Sequence, residues 1–275
     1  MKFGIAALCG RVGMSRQNYY QGHRRRQRRR IDADLVEQLV RRERAIQPRL
    51  GGRKLHYLCA PDLEEAGVRI GRDRFFEVLA EKDLLLEPLP RKPRTTDSRH
   101  ALPVFGNLVK DLALRGPNEA WAADLTYLRT GEGFLYLSLL TDMYSRKIVG
   151  FHAGDTLETE GCLKALEMAL GELPAGVAPV HHSDRGSQYC SHLYVEAARK
   201  RGLAISMTEE YHCYENALAE RVNGILKQEY WLGCRFRTKR QALAAVAEAV
   251  WLYNTRRPHQ ALKNKTPESV HRRAA

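Results

Sequence analysis

Between residues 3 and 87, apolar side chains recur every three or four positions, as they do on helices with one buried face. Residues 3–20 predict a short helix, a turn at Gly10 and Gly13, and a second helix capped by Ser15, with Tyr19 and Tyr20 beyond. That spacing suits a small helix-turn-helix or a plain helical hairpin. From Asp32 to Ile46, Leu35, Val36, Leu39, Val40 and Ile46 form one stripe, which starts at Asp32 or Asp34 and ends at Pro48 and Gly51-Gly52. Arg53 to Leu58 opens another helix, and Pro61 either kinks it or begins a new one that Gly67 closes. Gly71 to Leu79 predicts a third, with Phe75, Phe76 and Leu79 packed and Arg72 and Arg74 outward in its first turn, as groove entry would require.

From residue 119 the period shortens to two. Residues 119–130, 134–141 and 146–152 predict an antiparallel meander joined by Gly131-Glu132-Gly133 and a polar corner at Asp142 to Ser145. Helices at 159–170, 193–200, 217–230 and 241–253 alternate with strands at 177–183 and 204–207. The expected fold class is α/β: a ribonuclease-H-like core with a mixed five-stranded sheet and helices, preceded by an all-α region. The expected domains are a short helical segment with a basic run (1–30), a helix-turn-helix-like DNA-binding domain (31–87), a basic Pro-containing linker (88–115) and a core with a C-terminal helix (116–275).

Charge sharpens this division. The chain has 275 residues, a formal net charge of +13 and 44% hydrophobic residues, and its pI is about 9.6. Residues 1–100 carry 23 Lys plus Arg against 13 Asp plus Glu, and the remainder 22 against 19. The N-terminal third is therefore the expected handle for a polyanion. Its densest part contains Arg24, Arg25, Arg26, Arg28, Arg29 and Arg30, a run that is either solvated or neutralised by phosphates. Arg53, Lys54, Arg72 and Arg74 extend the candidate DNA-binding set, and Glu87 to Pro103, with Arg91, Lys92, Arg94 and Arg99, reads as an extended basic linker able to follow a DNA backbone. Six scattered cysteines without Cys-x-x-Cys pairs imply reduced thiols and a cytosolic setting, with no zinc site expected at His56/Cys59 or Cys190/His192. No apolar stretch reaches the roughly 18 residues of a membrane span, and no signal-peptide core is seen.

Three carboxylates carry candidate chemistry. Asp124 lies inside the strand-like run Trp121 to Tyr127, where an Asp is disfavoured unless a hydrogen bond, a cation or a metal compensates it. Asp184 directly follows an apolar strand. On the 217–230 helix, Asn216, Glu220, Asn223 and Lys227 share one polar stripe, opposite Leu218, Val222, Ile225 and Leu226. Taken singly, Asp184 can cap a turn with Gly186, Asp124 can pair with an arginine and Glu220 can sit in solvent. Together they can form an acidic cleft that a hard divalent cation would neutralise. Asp142 reads instead as a turn-opening residue bonded to its own backbone. Near the carboxylates, His182, Arg185, Ser187, Gln188 and Lys227 are candidates to order DNA or water. Asn254, Arg256, Arg257 and His259 either contact DNA or cap the last helix.

Asp124, Asp184 and Glu220, with 35 residues between the last two, resemble the Asp-Asp-Glu triad of transposases and retroviral integrases. The phrases Trp121–Tyr127, Asp142–Gly150, His182–Tyr189, Asn216–Lys227 and Tyr253–His259 are similar to those of transposases of the insertion-sequence-three family, over roughly residues 50–270. Residues Glu210 to Glu215 depart from the Gly and Asp that precede Asn216 in many relatives. The resemblance implies a metal-dependent polynucleotidyl transferase that cleaves and joins the ends of an insertion sequence, with Asp124, Asp184 and Glu220 as catalytic residues and ligands. Magnesium is the expected ion and manganese its substitute, with Asp124 bridging two ions. The implied partners are element-end and target DNA, further copies of the chain on that DNA, and the product of an upstream reading frame or a fusion with it. A cytoplasmic, nucleoid-associated location follows. A noncatalytic DNA-binding regulator and a general metal-dependent nuclease are the alternatives.

Overall fold

The computed structural model describes residues 4–87, 102–209 and 216–273, and the chain divides into two compact units, Met1–Pro88 and Leu89–Ala275. The first contains α1 (Ile5–Arg11), α2 (Arg16–Ile46), α3 (Gly52–Glu65) and α4 (Arg72–Glu81). Ser15 caps α2 by accepting from the Asn18 amide at 3.1 Å. One departure from expectation is large: the second helix, the arginine run and the 32–46 helix are a single 31-residue α2. Arg, Gln, Leu and Glu are good helix formers, and a lone Gly22 costs only about 1 kcal/mol, so nothing within the segment stops propagation. α3 likewise continues through Pro61, and Gly67, at φ +69°, turns the chain out. Val36, Val40, Leu55, Cys59, Phe75 and Leu79 form this unit's core. Gly52 lets α3 meet α4, since a Cβ there would lie 2.7 Å from the Phe76 ring.

The second unit is built on β1 (Ala120–Thr130), β2 (Gly133–Asp142), β3 (Ile148–Gly154), β4 (Val180–Ser183), β5 (Ala204–Met207) and β6 (Arg235–Phe236). The sheet order is β3-β2-β1-β4-β5. The first three strands are antiparallel, β4 and β5 join parallel, and β6 adds to the far end of β1. The sheet therefore has six strands rather than the expected five; β6, at two residues, is too short to show a pattern. β4 begins at Val180, not 177, because Pro179 cannot donate to a ladder.

The helices are α5 (Thr159–Gly171), α6 (Ser187–Cys190), α7 (His192–Lys200), α8 (Ala217–Glu229), α9 (Lys239–Thr255) and α10 (Pro267–Arg273). One core packs Trp121, Leu140, Leu166, Tyr194 and Met207 with α5 and α7. The other packs Leu128, Leu137, Leu139, Val222 and Leu226 with α8 and α9. The architecture is a ribonuclease-H-like α/β core preceded by an all-α unit. Of the expected linker, Pro88 to Ala101, with its cluster of basic residues, lies outside the described residues. Beyond it, Leu102 and Phe105 pack on the first core, and the Leu108 amide donates to Ser206 Oγ at 2.8 Å, so this stretch runs against β5. No helix among the described residues is long and apolar enough to cross a membrane.

Candidate active site

β1 carries Asp124 at its centre, and the parallel register with β4 pairs Ala122 with His182. Carried two residues further, that register sets Asp184 beside Asp124. α8 lies over the same face of β1 and clips to it at three successive points. Asn216 Nδ2 donates to the Ala123 carbonyl at 3.1 Å, Asn223 Nδ2 donates to Asp124 Oδ2 at 2.6 Å, and Lys227 Nζ donates to Thr126 Oγ1. The polar stripe read from the sequence is therefore the seam between helix and strand. Glu220 belongs to it one turn before Asn223 and remains exposed.

The electrostatics are those of a crowded acidic cleft. Burial, followed by the negative charge of Asp184, pushes the Asp124 carboxyl up to about 7; Glu220 adds to the rise, against hydrogen bonds from Asn223 and the Leu125 amide. Asp184 is raised by burial and by Glu220, opposed by the Gly186 amide 3.0 Å from its Oδ1. Thus the three groups lie within electrostatic reach, and the two aspartates are costly to ionise unaided. Hard carboxylate oxygens in this setting match what a divalent cation prefers. Among the described residues, no three His, Cys, Asp or Glu side chains are already drawn together as a metal cage.

Other candidates separate by their contacts. Asp142 accepts from the Ser145 amide and hydroxyl at 2.6 Å and from the Asn118 amide at 2.7 Å, as a turn-builder should. Burial raises its pKa, but the His271, Ser145 and Asn118 contacts outweigh that and hold it below the ordinary value. His182 Nδ1 bonds Ser206 Oγ at 2.8 Å inside the core. Arg185 Nε donates to the Thr208 carbonyl at 2.8 Å and Gln188 to the Leu157 carbonyl at 2.8 Å, while Ser187 is exposed at the start of α6. Loop residues Glu210 to Glu215, Cys213 among them, lie outside the described residues.

The candidate DNA contacts divide similarly. Arg24, Arg25, Arg26, Arg28, Arg29, Arg30 and Arg53 are exposed, and Lys54 and Arg256 are half-buried. On α4, Arg72 pairs with Asp73 at 2.7 Å, and Arg74 with Glu77 and Glu81 at 3.0 and 2.7 Å, so the basic first turn is locally neutralised. Arg257 does not fit the DNA-contact role. It is 3% exposed, forks onto both Glu229 oxygens at 2.8 Å and meets His259 Nε2 at 3.0 Å. Asn254 bonds both the amide and the carbonyl of Ile148 at 2.9 Å, so it too is structural. Asn223 was visible only as a member of the stripe; its grip on Asp124 depends on packing that spacing alone does not give.

The family profiles agree with this architecture. Two family profiles described as integrase core domain match residues 115–213 and 201–267. The 31 kDa protein of insertion element IS600 from Shigella sonnei is 36% identical over 98% of this chain and 100% of its own length. The transposase of insertion sequence IS629 from the same organism is 31% identical over 97% and 90%. The IS3 transposase InsF of Escherichia coli K12 is 36% identical over 62% of this chain and 59% of its own length. A solved HTLV-2 integrase catalytic core, described in complex with magnesium, aligns with 57% of this chain and 99% of that one at 22% identity and TM-score 0.46. With full-length relatives at this identity and an integrase-type core, the chain belongs to the IS3 family of transposases.

Proposed function

We propose that the chain is an Asp-Asp-Glu polynucleotidyl transferase that cleaves and joins DNA at the ends of its insertion sequence. The observation that carries this reading is the electrostatic coupling of Asp124 on β1 with Asp184, just past β4, and Glu220 on α8, with Asn223 bonded to Asp124. These three carboxylates would hold magnesium, or manganese in its place. Such an ion supplies Lewis-acid activation of the attacking hydroxyl and stabilises the leaving oxygen. The chain's own contribution is position: the β1–α8 seam fixes Asp124, the turn at Gly186 fixes Asp184, and Lys227 and Arg185 place positive charge beside the cleft for phosphates. Element-end and target DNA are the substrates. Further copies of the chain, and an upstream-frame segment, are the partners this chemistry calls for in pairing two ends.

The test incubates the protein and its Glu220→Gln variant with DNA bearing the element's ends and magnesium or manganese, then maps nicked and joined products. End-specific joining that disappears in a folded variant supports the proposal. Nicking without end preference would favour a general nuclease. DNA binding with no product in the presence of the upstream-frame segment would favour a regulator.

A further inference from the structure

Charge is divided within the helical unit in a way that its fold does not require. Residues 1–31 contain nine Lys and Arg and not one Asp or Glu, whereas residues 32–87 contain ten Lys and Arg against twelve acids. The second group is largely consumed internally. Arg72 and Arg74 pair along α4, Lys82 meets Asp34 and Glu37 at 2.6 and 2.9 Å, Arg42 meets Asp62, and Arg44 donates to the Leu84 carbonyl at 2.7 Å. Arg24, Arg25, Arg26, Arg28, Arg29 and Arg30, by contrast, are all exposed. They are not on a tail. α2 runs unbroken from them into Ala33, Val36 and Val40 of the core, so the arginines stand on a rod anchored in the unit.

At about 100° per residue, six arginines in this pattern cover an arc of roughly 240°, leaving about 120° for Gln27 and Ile31. A single row of phosphates cannot serve an arc that wide. A major groove about 12 Å across accepts a helix about 10–12 Å in diameter and presents a backbone on either side. We propose that the phosphate grip of this unit on duplex DNA is made by Arg24–Arg30 of α2, seated between the two backbones of a major groove, and not by α4. The inference rests on the transposase reading only in taking duplex DNA as the polyanion.

The test measures binding of full-length protein to a duplex of unrelated sequence across about 50–200 mM salt, where six phosphate contacts give a log–log slope of about −5. Changing Arg25, Arg26, Arg29 and Arg30 together to Gln, which preserves helix propensity, should make the slope shallower by about 3–4 with an unchanged melting curve. Arg72→Gln with Arg74→Gln should change it by less than about 1. An unaltered slope in the fourfold variant, a collapse in the α4 variant, or tighter binding to phosphatidylglycerol vesicles than to duplex would each overturn the proposal. End joining by the unmodified chain, with the upstream-frame segment present, is scored in parallel. Loss of slope without any joining leaves the grip standing and removes the transposase reading; joining with an unaltered slope does the reverse.

Discussion

Asn223 shows how one amide can govern a cleft of carboxylates. It donates to Asp124 Oδ2 at 2.6 Å from the helix that also presents Glu220, coupling the orientation of two of the three acids. Groups that orient a metal-ligating carboxylate typically alter metal affinity or activity by about 10–100-fold when removed. On the proposed function, Asn223→Ala should therefore lower end joining by about that factor and raise the magnesium concentration needed, while the far-ultraviolet circular dichroism stays unchanged. Wild-type joining at every magnesium concentration would remove Asn223 from the machinery. The sequence displayed the stripe to which Asn223 belongs, since helical spacing alone reveals it. It could not display the partner, which lies 99 positions away on β1.

A second residue reports on the same sheet through pH. His181 is fully buried, its Nε2 bonded to the Tyr194 hydroxyl at 2.8 Å, and burial followed by the neighbouring His182 lowers its pKa from the usual 6.5 to about 4. At this imidazole the unfolded chain binds more proton than the folded one between pH 6.5 and 4, so the contribution of His181 to stability is intact above 6.5 and falls as pH drops through that window. The full loss is about 3 kcal/mol, reached below pH 4. Between pH 7 and pH 4.5 the raised Asp124 carboxyl works in the opposite direction, taking up a proton in the fold, so urea denaturation should show His181→Phe gaining relative to the wild type by most of that difference, whatever the net change in either protein. Equal losses in both proteins would assign the acid sensitivity elsewhere.

At the scale of elements, long periodic segments were legible and short or merged ones were not. The meander, α5, α7, α8 and α9 all fall within a few residues of their expected limits, because each alternates or repeats over a full buried face. The six arginines interrupt the apolar periodicity of α2 and so hide its continuity, yet charge alone does not break a helix of good formers. Arg257 shows the complementary failure. Its type and its place in a polar cluster suggested phosphate binding, while its fork onto Glu229 joins the end of α9 to the end of α8 inside the protein. Removing one member of a buried pair leaves the other uncompensated, at a cost of about 3–5 kcal/mol. Arg257→Met should lower the melting temperature by roughly 6–20 °C, taking 2–4 °C per kcal/mol. DNA affinity per folded molecule should be unchanged. Weakened binding with wild-type melting would restore Arg257 to the DNA surface.

At the scale of the whole molecule, each unit encloses its own apolar core: the α2–α3–α4 cluster in Met1–Pro88, and the two clusters flanking the sheet in Leu89–Ala275. Among the described residues each cluster is drawn from a single unit, so each unit should fold when made alone. On the proposed function, chemistry and DNA affinity then separate along the same line. All three carboxylates lie in the second unit, whereas the exposed arginine run lies in the first. A chain starting at residue 102 should retain metal-dependent nicking at high DNA concentration, lost on Glu220→Gln. It should bind duplex DNA about 10³-fold or more weakly at low salt, with a correspondingly shallow salt dependence. Residues 1–87 alone should reproduce most of the full-length salt slope and cut nothing. Gel-shift titrations of the two pieces against the intact chain decide the matter: an isolated second unit that binds as tightly as the whole protein would place the DNA grip on the sheet and its helices instead.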